Sequence, residues 1–307
     1  MTKVFVDGSA GTTGLRIFER LENRRDITLI TLSDKFRKDI EARRDALNSA
    51  DIAFLCLPDD AARESVSLIE NANTAVIDTS TAHRTSPDWE YGFPELEGRL
   101  ERIKNSKRIA NPGCHASGFI ALIEPLVKCG LLDKSAVLSC TSITGYSGGG
   151  KKMIAEYESA DRNKLLDAPR MYGLSQTHKH LKEMSVISGL ENYPIFCPIV
   201  APFYSGMEVA VTLGGESLKA DIAILQKCYE DYYKQGLVHF KKDADEGEFM
   251  SAAAMSLRDD MQISVCGNDE RIVLVSRFDN LGKGASGSAV QNMNILMGIK
   301  EDTGLAL

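Results

Sequence analysis

The spacing of apolar positions changes character along the chain. Val4-Phe5-Val6 is a short apolar run closed by Asp7-Gly8, and a helical pattern carrying Leu15, Phe18 and Leu21 follows it. A second run at 27–32, a helical stretch over 39–49, a strand at 52–57 stopped by Pro58, a helix over 60–72 and a strand at 75–77 continue the alternation. Strands and helices joined by short links predict a parallel, doubly wound sheet. Arg108-Ile109-Ala110 then leads into a strongly periodic helix, with Phe119, Ile120, Ile123, Leu126 and Val127 on one face; Pro125 should kink it and Gly130 end it. Beyond this helix, strand-like runs appear at 137–143, 207–213, 262–265 and 272–275, with a helical pattern over 219–234 among them. They predict an α+β second domain on a largely antiparallel sheet. The last helical pattern, 285–298, is rich in small residues.

At 307 residues the chain is long enough for two domains, and 43% apolar with 26% charged residues is ordinary for a globular protein. A net charge of −7 argues against a nucleic-acid surface, though not against a local basic pocket for an anionic small molecule. No apolar run approaches the length of a membrane span, and Met1-Thr2-Lys3 runs directly into the first strand, so neither a membrane segment nor a secretory signal is expected. Seven cysteines without CxxC spacing fit a reducing compartment and no zinc ribbon, which makes a cytoplasmic location the expectation.

Candidate chemistry concentrates at the joints between these elements. In Asn111-Pro112-Gly113-Cys114 the proline and glycine force a sharp turn, delivering Cys114 to the first turn of the periodic helix. Unpaired amides and the positive end of the helix dipole converge there, favouring a thiolate and able to hold an oxyanion. Cys56, Cys140 and Cys228 lie within apolar or helical patterns and read as buried, inert thiols. Gly8-Ser9-Ala10-Gly11-Thr12-Thr13-Gly14 stands between a strand and a helix, the context of a dinucleotide fingerprint, although its spacing is GxxGxxG with Ala10 where the second glycine would be. About twenty residues on, Asp34 would favour the ribose hydroxyl of NAD, whereas Ser33, Lys35, Arg37 and Lys38 favour the 2′-phosphate of NADP and outnumber it. Arg84, in Asp78-Thr79-Ser80-Thr81-Ala82-His83-Arg84, is either a phosphate or carboxylate clamp or a solvated loop arginine. Gly145-Tyr146-Ser147-Gly148-Gly149-Gly150-Lys151-Lys152 nearly spells a P-loop, but Lys152 stands where Mg²⁺ needs a hydroxyl. His178 and His180, two apart on what reads as an extended segment, point the same way; without further ligands nearby they suit a base for Cys114 better than a metal.

Together these stretches resemble N-acetyl-γ-glutamyl-phosphate reductase in its shorter form, over essentially the whole chain. The resemblance rests on 8–14, 78–84, Tyr91-Gly92-Phe93-Pro94-Glu95-Leu96, 111–114, 145–150, Tyr172 with His178-Lys179-His180, and 279–284 running on to Gln291-Asn292-Met293-Asn294. It implies a Rossmann-type NADP-binding domain at 1–113 completed by the C-terminal helix 282–307, and a catalytic and oligomerisation domain at 114–281. Cys114 would accept the acyl group from the acyl phosphate, and His178 would take the thiol proton and return it. Asn280, Gly282 and Lys283 would lie against the cofactor with the residues of 8–14. Arg84, Asn111, Ser117, Lys151, Tyr172 and His180 would serve the substrate. The resemblance implies NADP(H) as cofactor, a homo-oligomer (dimer or tetramer), and no metal, nucleic-acid or membrane partner. His115 stands where many members carry tyrosine, Ser117 where they carry threonine, and Phe203-Tyr204-Ser205-Gly206-Met207 lacks an arginine of the longer form. Alternatives are another acyl-phosphate reductase, of aspartate-semialdehyde or lysine-pathway type, a silent NADP-binding regulatory protein, and a nucleotide hydrolase built on 145–152.

Overall fold

The computed structural model describes residues 1–214 and 219–307. The chain divides into two compact units, Met1–Pro112 with Ala285–Leu305, and Gly113–Gly284 with Ala306–Leu307.

The first unit is built on a sheet of β1 (Thr2–Asp7), β2 (Ile27–Ile30), β3 (Ile52–Leu55), β4 (Ala75–Asp78), β5 (Glu90–Tyr91) and β6 (Arg108–Ala110). Its order is β2-β1-β3-β4-β6-β5, with every neighbouring pair parallel. Alternation along β1 sorts the two faces. Val4 and Val6 pack with α1 (Thr12–Leu21) through Ile17 and Leu21, and with the last helix, α9 (Gly287–Leu296), through Ala289, Val290 and Met293. Phe5, between them, faces α2 (Ile40–Ser49) and α3 (Asp59–Ser67) through Ala46, Leu47 and Ala62. A short α4 (Arg99–Asn105) precedes β6. Asp39 starts α2 by accepting the Ala42 N–H at 2.8 Å, the capping geometry that its place in the sequence implies.

The second unit opens with α5 (Cys114–Lys128) and carries a sheet in the order β11-β12-β13-β10-β7-β9-β8. Its strands are β7 (Ser139–Gly145), β8 (Arg170–Met171), β9 (Ile195–Ala201), β10 (Met207–Leu213), β11 (Val238–Phe240), β12 (Met261–Asn268) and β13 (Arg271–Phe278). The central run β12-β13-β10-β7 is antiparallel, but β7 with β9 and β11 with β12 are parallel, so the sheet is mixed. Helices α6 (Gly150–Glu158), α7 (His180–Ser188) and α8 (Ile222–Tyr232) complete the unit.

Nearly every side chain of α5 is buried. Gly118 lets the helix close on the sheet: a Cβ there would stand 2.5 Å from Val209 Cγ2 and 2.7 Å from Ser276 Oγ. The helix runs through Pro125 to Lys128, and Gly130, at φ +71°, follows its end as expected. The missing proline N–H leaves the Ala121 carbonyl without its helical donor, and the Tyr233 hydroxyl supplies one at 2.8 Å. Tyr229 also donates to the neighbouring Leu122 carbonyl. The glycine-rich 145–150 stretch forms a 3₁₀ turn over Tyr146–Gly149 and the start of α6.

Candidate active site

Gly113 precedes α5 in an extended conformation (φ −87°, ψ 144°) and offers no side chain to the helix end. The first-turn amides next to Cys114 therefore have no side-chain cap. The turn is held from two sides: the Gly113 N–H donates to Glu183 Oε1 on α7 at 2.8 Å, and from within α5 Ser117 Oγ donates back to the Gly113 carbonyl at 3.1 Å. Glu183, only 2% exposed, escaped the sequence reading because nothing in its helical pattern marks it. Gly284 lies directly against the thiol-bearing residue, where a Cβ would stand 3.0 Å from that of Cys114. Cys114 itself is half-buried. By contrast, burial pushes the Cys56 thiol up to about 12 and raises that of Cys140, while burial and the Cys129 thiol bring Cys228 to about 12.

Five rings gather behind the helix start. His178 and His180 stand 4.8 Å apart between centroids, and His115 lies 5.9 Å from the first and 5.7 Å from the second. Tyr172 and Phe196 complete the group at 6.1 and 5.3 Å from His115. The histidines do not share an extended segment; the His178 carbonyl accepts the Leu181 N–H at 3.0 Å, leading into α7, and His180 is the first residue of that helix. His178 Nδ1 accepts the His180 backbone N–H at 3.2 Å, so the neutral ring carries its proton on Nε2. Burial and the adjacent Lys179 lower its affinity for a second proton, with Glu183 opposing. His180 is buried. His115, 3% exposed, is held neutral because burial, with His178 beside it, pushes it down to about 3. Burial and the charge of Cys114 raise the Tyr172 phenol, which stays protonated.

Several expected substrate contacts are engaged elsewhere. Within the first unit Arg84 donates to the carbonyls of Asn111 and Thr79, each at 3.0 Å, so it braces the turn before Pro112 rather than standing as a solvated loop arginine. Asn111 donates to the Ala285 carbonyl at 3.0 Å and accepts from Asn292 at 3.3 Å. Ser117 is turned inward onto Gly113, whereas Lys151 is exposed in the first turn of α6. Asn280 ties two loops together, accepting the Gly206 N–H at 2.9 Å and donating to Ser147 Oγ at 3.0 Å, which places its amide in the framework. Asp279 shapes the next turn by accepting the N–H groups of Leu281 and Gly282 at 2.8 Å, and Lys283 is buried.

The first unit contains a cavity of about 660 Å³ beside the fingerprint. Gly8, Ser9 and Ala10 line it at one side, Asp34, Arg37 and Lys38 at another, and Leu15, Phe18, Ile30 and Leu57 form apolar walls. Gly8 takes φ +89° close to the Cys56 carbonyl, and a Cβ on Gly14 would meet Ser9 Cα at 3.0 Å, so both positions need glycine. Gly11 caps α1 without a side chain, Thr12 and Thr13 open the helix half-buried, and no acidic residue occupies the first turn. This cradle fits a dinucleotide: bare amides for a pyrophosphate, apolar walls for a base, and two cations at the far side. Ser33 and Lys35 do not line it. The Ser33 carbonyl accepts from Phe36 and Arg37, and Lys35 Nζ sits 5.4 Å from the Phe36 ring. Asp34 pairs with Arg37 at 3.3 Å.

A family description of the semialdehyde dehydrogenase NAD-binding domain matches residues 3–106, and that of the semialdehyde dehydrogenase dimerisation domain matches 114–280. The chain is 43% identical to N-acetyl-gamma-glutamyl-phosphate reductase 2 of Nostoc sp., with 99% of each chain covered. It is 43% identical to the reductase of the same name from Pseudomonas putida, with 96% of each covered. Among solved structures, aspartate semialdehyde dehydrogenase II of Vibrio cholerae superposes with a TM-score of 0.73 at 17% identity, covering 97% of this chain and 99% of that one, a likeness of fold. Among the described residues, no helix is long and apolar enough to cross a membrane.

Proposed function

This chain belongs to the N-acetyl-gamma-glutamyl-phosphate reductase family, and on that premise we propose that it reduces N-acetyl-γ-glutamyl phosphate to N-acetylglutamate 5-semialdehyde and phosphate, a step of arginine biosynthesis. The observation that carries the reading is Cys114, half-buried on an uncapped helix start while Cys56, Cys140 and Cys228 are held as thiols. The Cys114 thiolate attacks the acyl carbon, the C–S bond forms, the bond to the phosphate oxygen breaks, and phosphate leaves. First-turn amides of α5 hold the acyl oxygen as charge develops on it. When bound, NADPH supplies the hydride that the thioester carbon receives. The carbonyl then re-forms, the C–S bond breaks, and aldehyde leaves while the thiolate is regenerated. His178 is the proposed partner of the sulfur. In the tautomer set by the His180 N–H it acts there as an Nε2–H donor; taking up a proton at Nε2 would require a bare Nε2 or surrender of that contact.

The first unit is the proposed NADP(H) domain and the second the catalytic one, through which the protein assembles as a homo-oligomer in the cytoplasm. Lys151, exposed on α6, is the proposed phosphate contact; Tyr172 and His180 serve the substrate. Arg37 and Lys38 flank the cofactor cavity, so NADPH is expected to be preferred to NADH by roughly ten- to a hundred-fold, mainly in KM, from one charge-assisted phosphate contact. Equal kcat/KM for the two cofactors would show that Asp34 governs the site instead.

The substrate assignment is tested in the reverse direction, by phosphate-dependent NADP reduction with N-acetylglutamate semialdehyde against aspartate semialdehyde. Only the acetylated aldehyde is expected to support turnover. A comparable kcat/KM with aspartate semialdehyde sinks the assignment.

A further inference from the structure

We propose that Ser142 and His115 form a positioning relay that leaves the Tyr172 hydroxyl hydrogen free to donate to the carbonyl oxygen of the acyl group on Cys114; the inference rests on the thioester reading above. Ser142 on β7 is fully buried, and its Oγ lies 2.7 Å from His115 Nδ1. On the other side of the ring, His115 Nε2 lies 2.6 Å from the Tyr172 hydroxyl oxygen. Among the described residues these are the only hydrogen-bond partners of the Ser142 and Tyr172 hydroxyls.

One proton has two possible places on a neutral ring. If His115 carried it on Nδ1, Ser142 would have to accept, and its own hydrogen would be fully buried with no acceptor, which is costly. If Ser142 donates to Nδ1, the ring proton sits on Nε2 and is donated to the tyrosine oxygen. The second arrangement satisfies the fully buried donors, Ser142 Oγ–H and His115 Nε2–H, and leaves open only the hydrogen of the half-buried Tyr172. Because the Tyr172 oxygen then accepts from His115, its own hydrogen remains for another acceptor. His115 follows Cys114 directly in the first turn of α5, so the Tyr172 hydroxyl held 2.6 Å from its ring lies at the same helix start, in keeping with the rise of the Tyr172 phenol that burial and the charge of Cys114 cause; burial keeps His115 itself neutral, near 3. The Tyr172 hydroxyl thus adds a donor to the α5 amides where the oxyanion forms. Ser142 and His115 act only through it.

The first test reads the tautomer of the unliganded wild-type protein. Long-range ¹⁵N–¹H spectra at pH 7, with the His115 signals identified by their loss in His115→Gln, should show a bare Nδ1 and a protonated Nε2. The second test is kinetic. Tyr172→Phe is expected to lower kcat by about 10²-fold with KM within a few-fold, the effect of losing one oxyanion donor. Ser142→Ala should lower kcat by about ten-fold alone and by nothing further in the Tyr172→Phe background, because both changes remove the same donor. A protonated Nδ1 on His115, or losses that multiply in the double variant, overturns the relay. If Ser142→Ala does not fold, the wild-type tautomer alone decides. Failure of the wild type to form an acyl adduct at Cys114 would instead strike the thioester reading, and the tautomer would still report on the relay.

Discussion

Cys114→Ser is expected to abolish reductase turnover while leaving NADPH affinity within a few-fold. The substitution removes only the sulfur; the uncapped first turn of α5 and its brace from Glu183 remain. A serine hydroxyl stays protonated beside the same amides, so the helix terminus that favours a thiolate cannot make it an acyl acceptor. The dinucleotide cavity is lined by residues of the first unit, none of which changes. Mass spectrometry of wild-type protein mixed with acyl phosphate, without NADPH, should place one acyl adduct on the peptide bearing Cys114. Cys56, Cys140 and Cys228 should remain unmodified, since burial holds each as a thiol. An adduct on another cysteine refutes the nucleophile.

His178→Asn is expected to lower kcat and kcat/KM together by about 10²–10⁴-fold, the range for losing a side chain that acts directly on the reacting group. Asparagine keeps an acceptor within reach of the His180 N–H, so the turn into α7 is retained while the Nε2 donor is lost. Alkylation of Cys114 by iodoacetamide near neutral pH should slow in parallel, because the thiolate loses its proposed hydrogen-bond partner. His180→Asn should mainly raise KM and leave alkylation unchanged. Slower alkylation in His180→Asn but not in His178→Asn would exchange the two roles. Unchanged alkylation in both would leave the helix terminus as the sole activator of Cys114 and assign both histidines to the substrate. The sign with pH is fixed by the direction of the His178 shift: burial and Lys179 lower its affinity for a proton, so it enters the reaction neutral at pH 7, and any loss from protonating it appears only on the acid side.

Much of the framework is written locally. The run Val4-Phe5-Val6 becomes β1, and the spacing of Gly8, Gly11 and Gly14 becomes the strand-to-helix turn beside the dinucleotide cavity. Pro112 and Gly113 deliver Cys114 to a helix N-terminus as their conformational limits require. Other side chains take partners from distant segments that the local pattern does not show. Pro125 stays inside α5 because Tyr233, far along the chain on the residue after α8, donates to the carbonyl that proline leaves bare. Arg84 reads as a substrate clamp or a solvated loop residue, but the fold supplies the Asn111 and Thr79 carbonyls to its guanidinium. Asn280 reads as a cofactor contact, yet its amide joins Gly206 to Ser147. Ser33 and Lys35 share a loop with Arg37 and Lys38, and only the latter two line the cavity, a matter of side-chain direction within one tight turn.

By itself the sequence determined the alternation of strands and helices, the two kinds of sheet and the placing of a thiol at a helix start. These depend on period, on proline and glycine geometry, and on neighbours within a few residues. The tertiary structure decided which polar groups face a ligand and which are consumed by the framework, and it decided proton positions. The His178 tautomer follows from a backbone N–H two residues away, once a turn has brought it round. The His115 tautomer follows from Ser142 on one side and Tyr172 on the other, groups that only the packing of α5 against β7 and the chain after β8 brings within 2.7 and 2.6 Å. Hydrogen bonds are short-ranged and directional, so the partner of a buried polar atom is set by which segments meet, and a linear pattern does not carry that information.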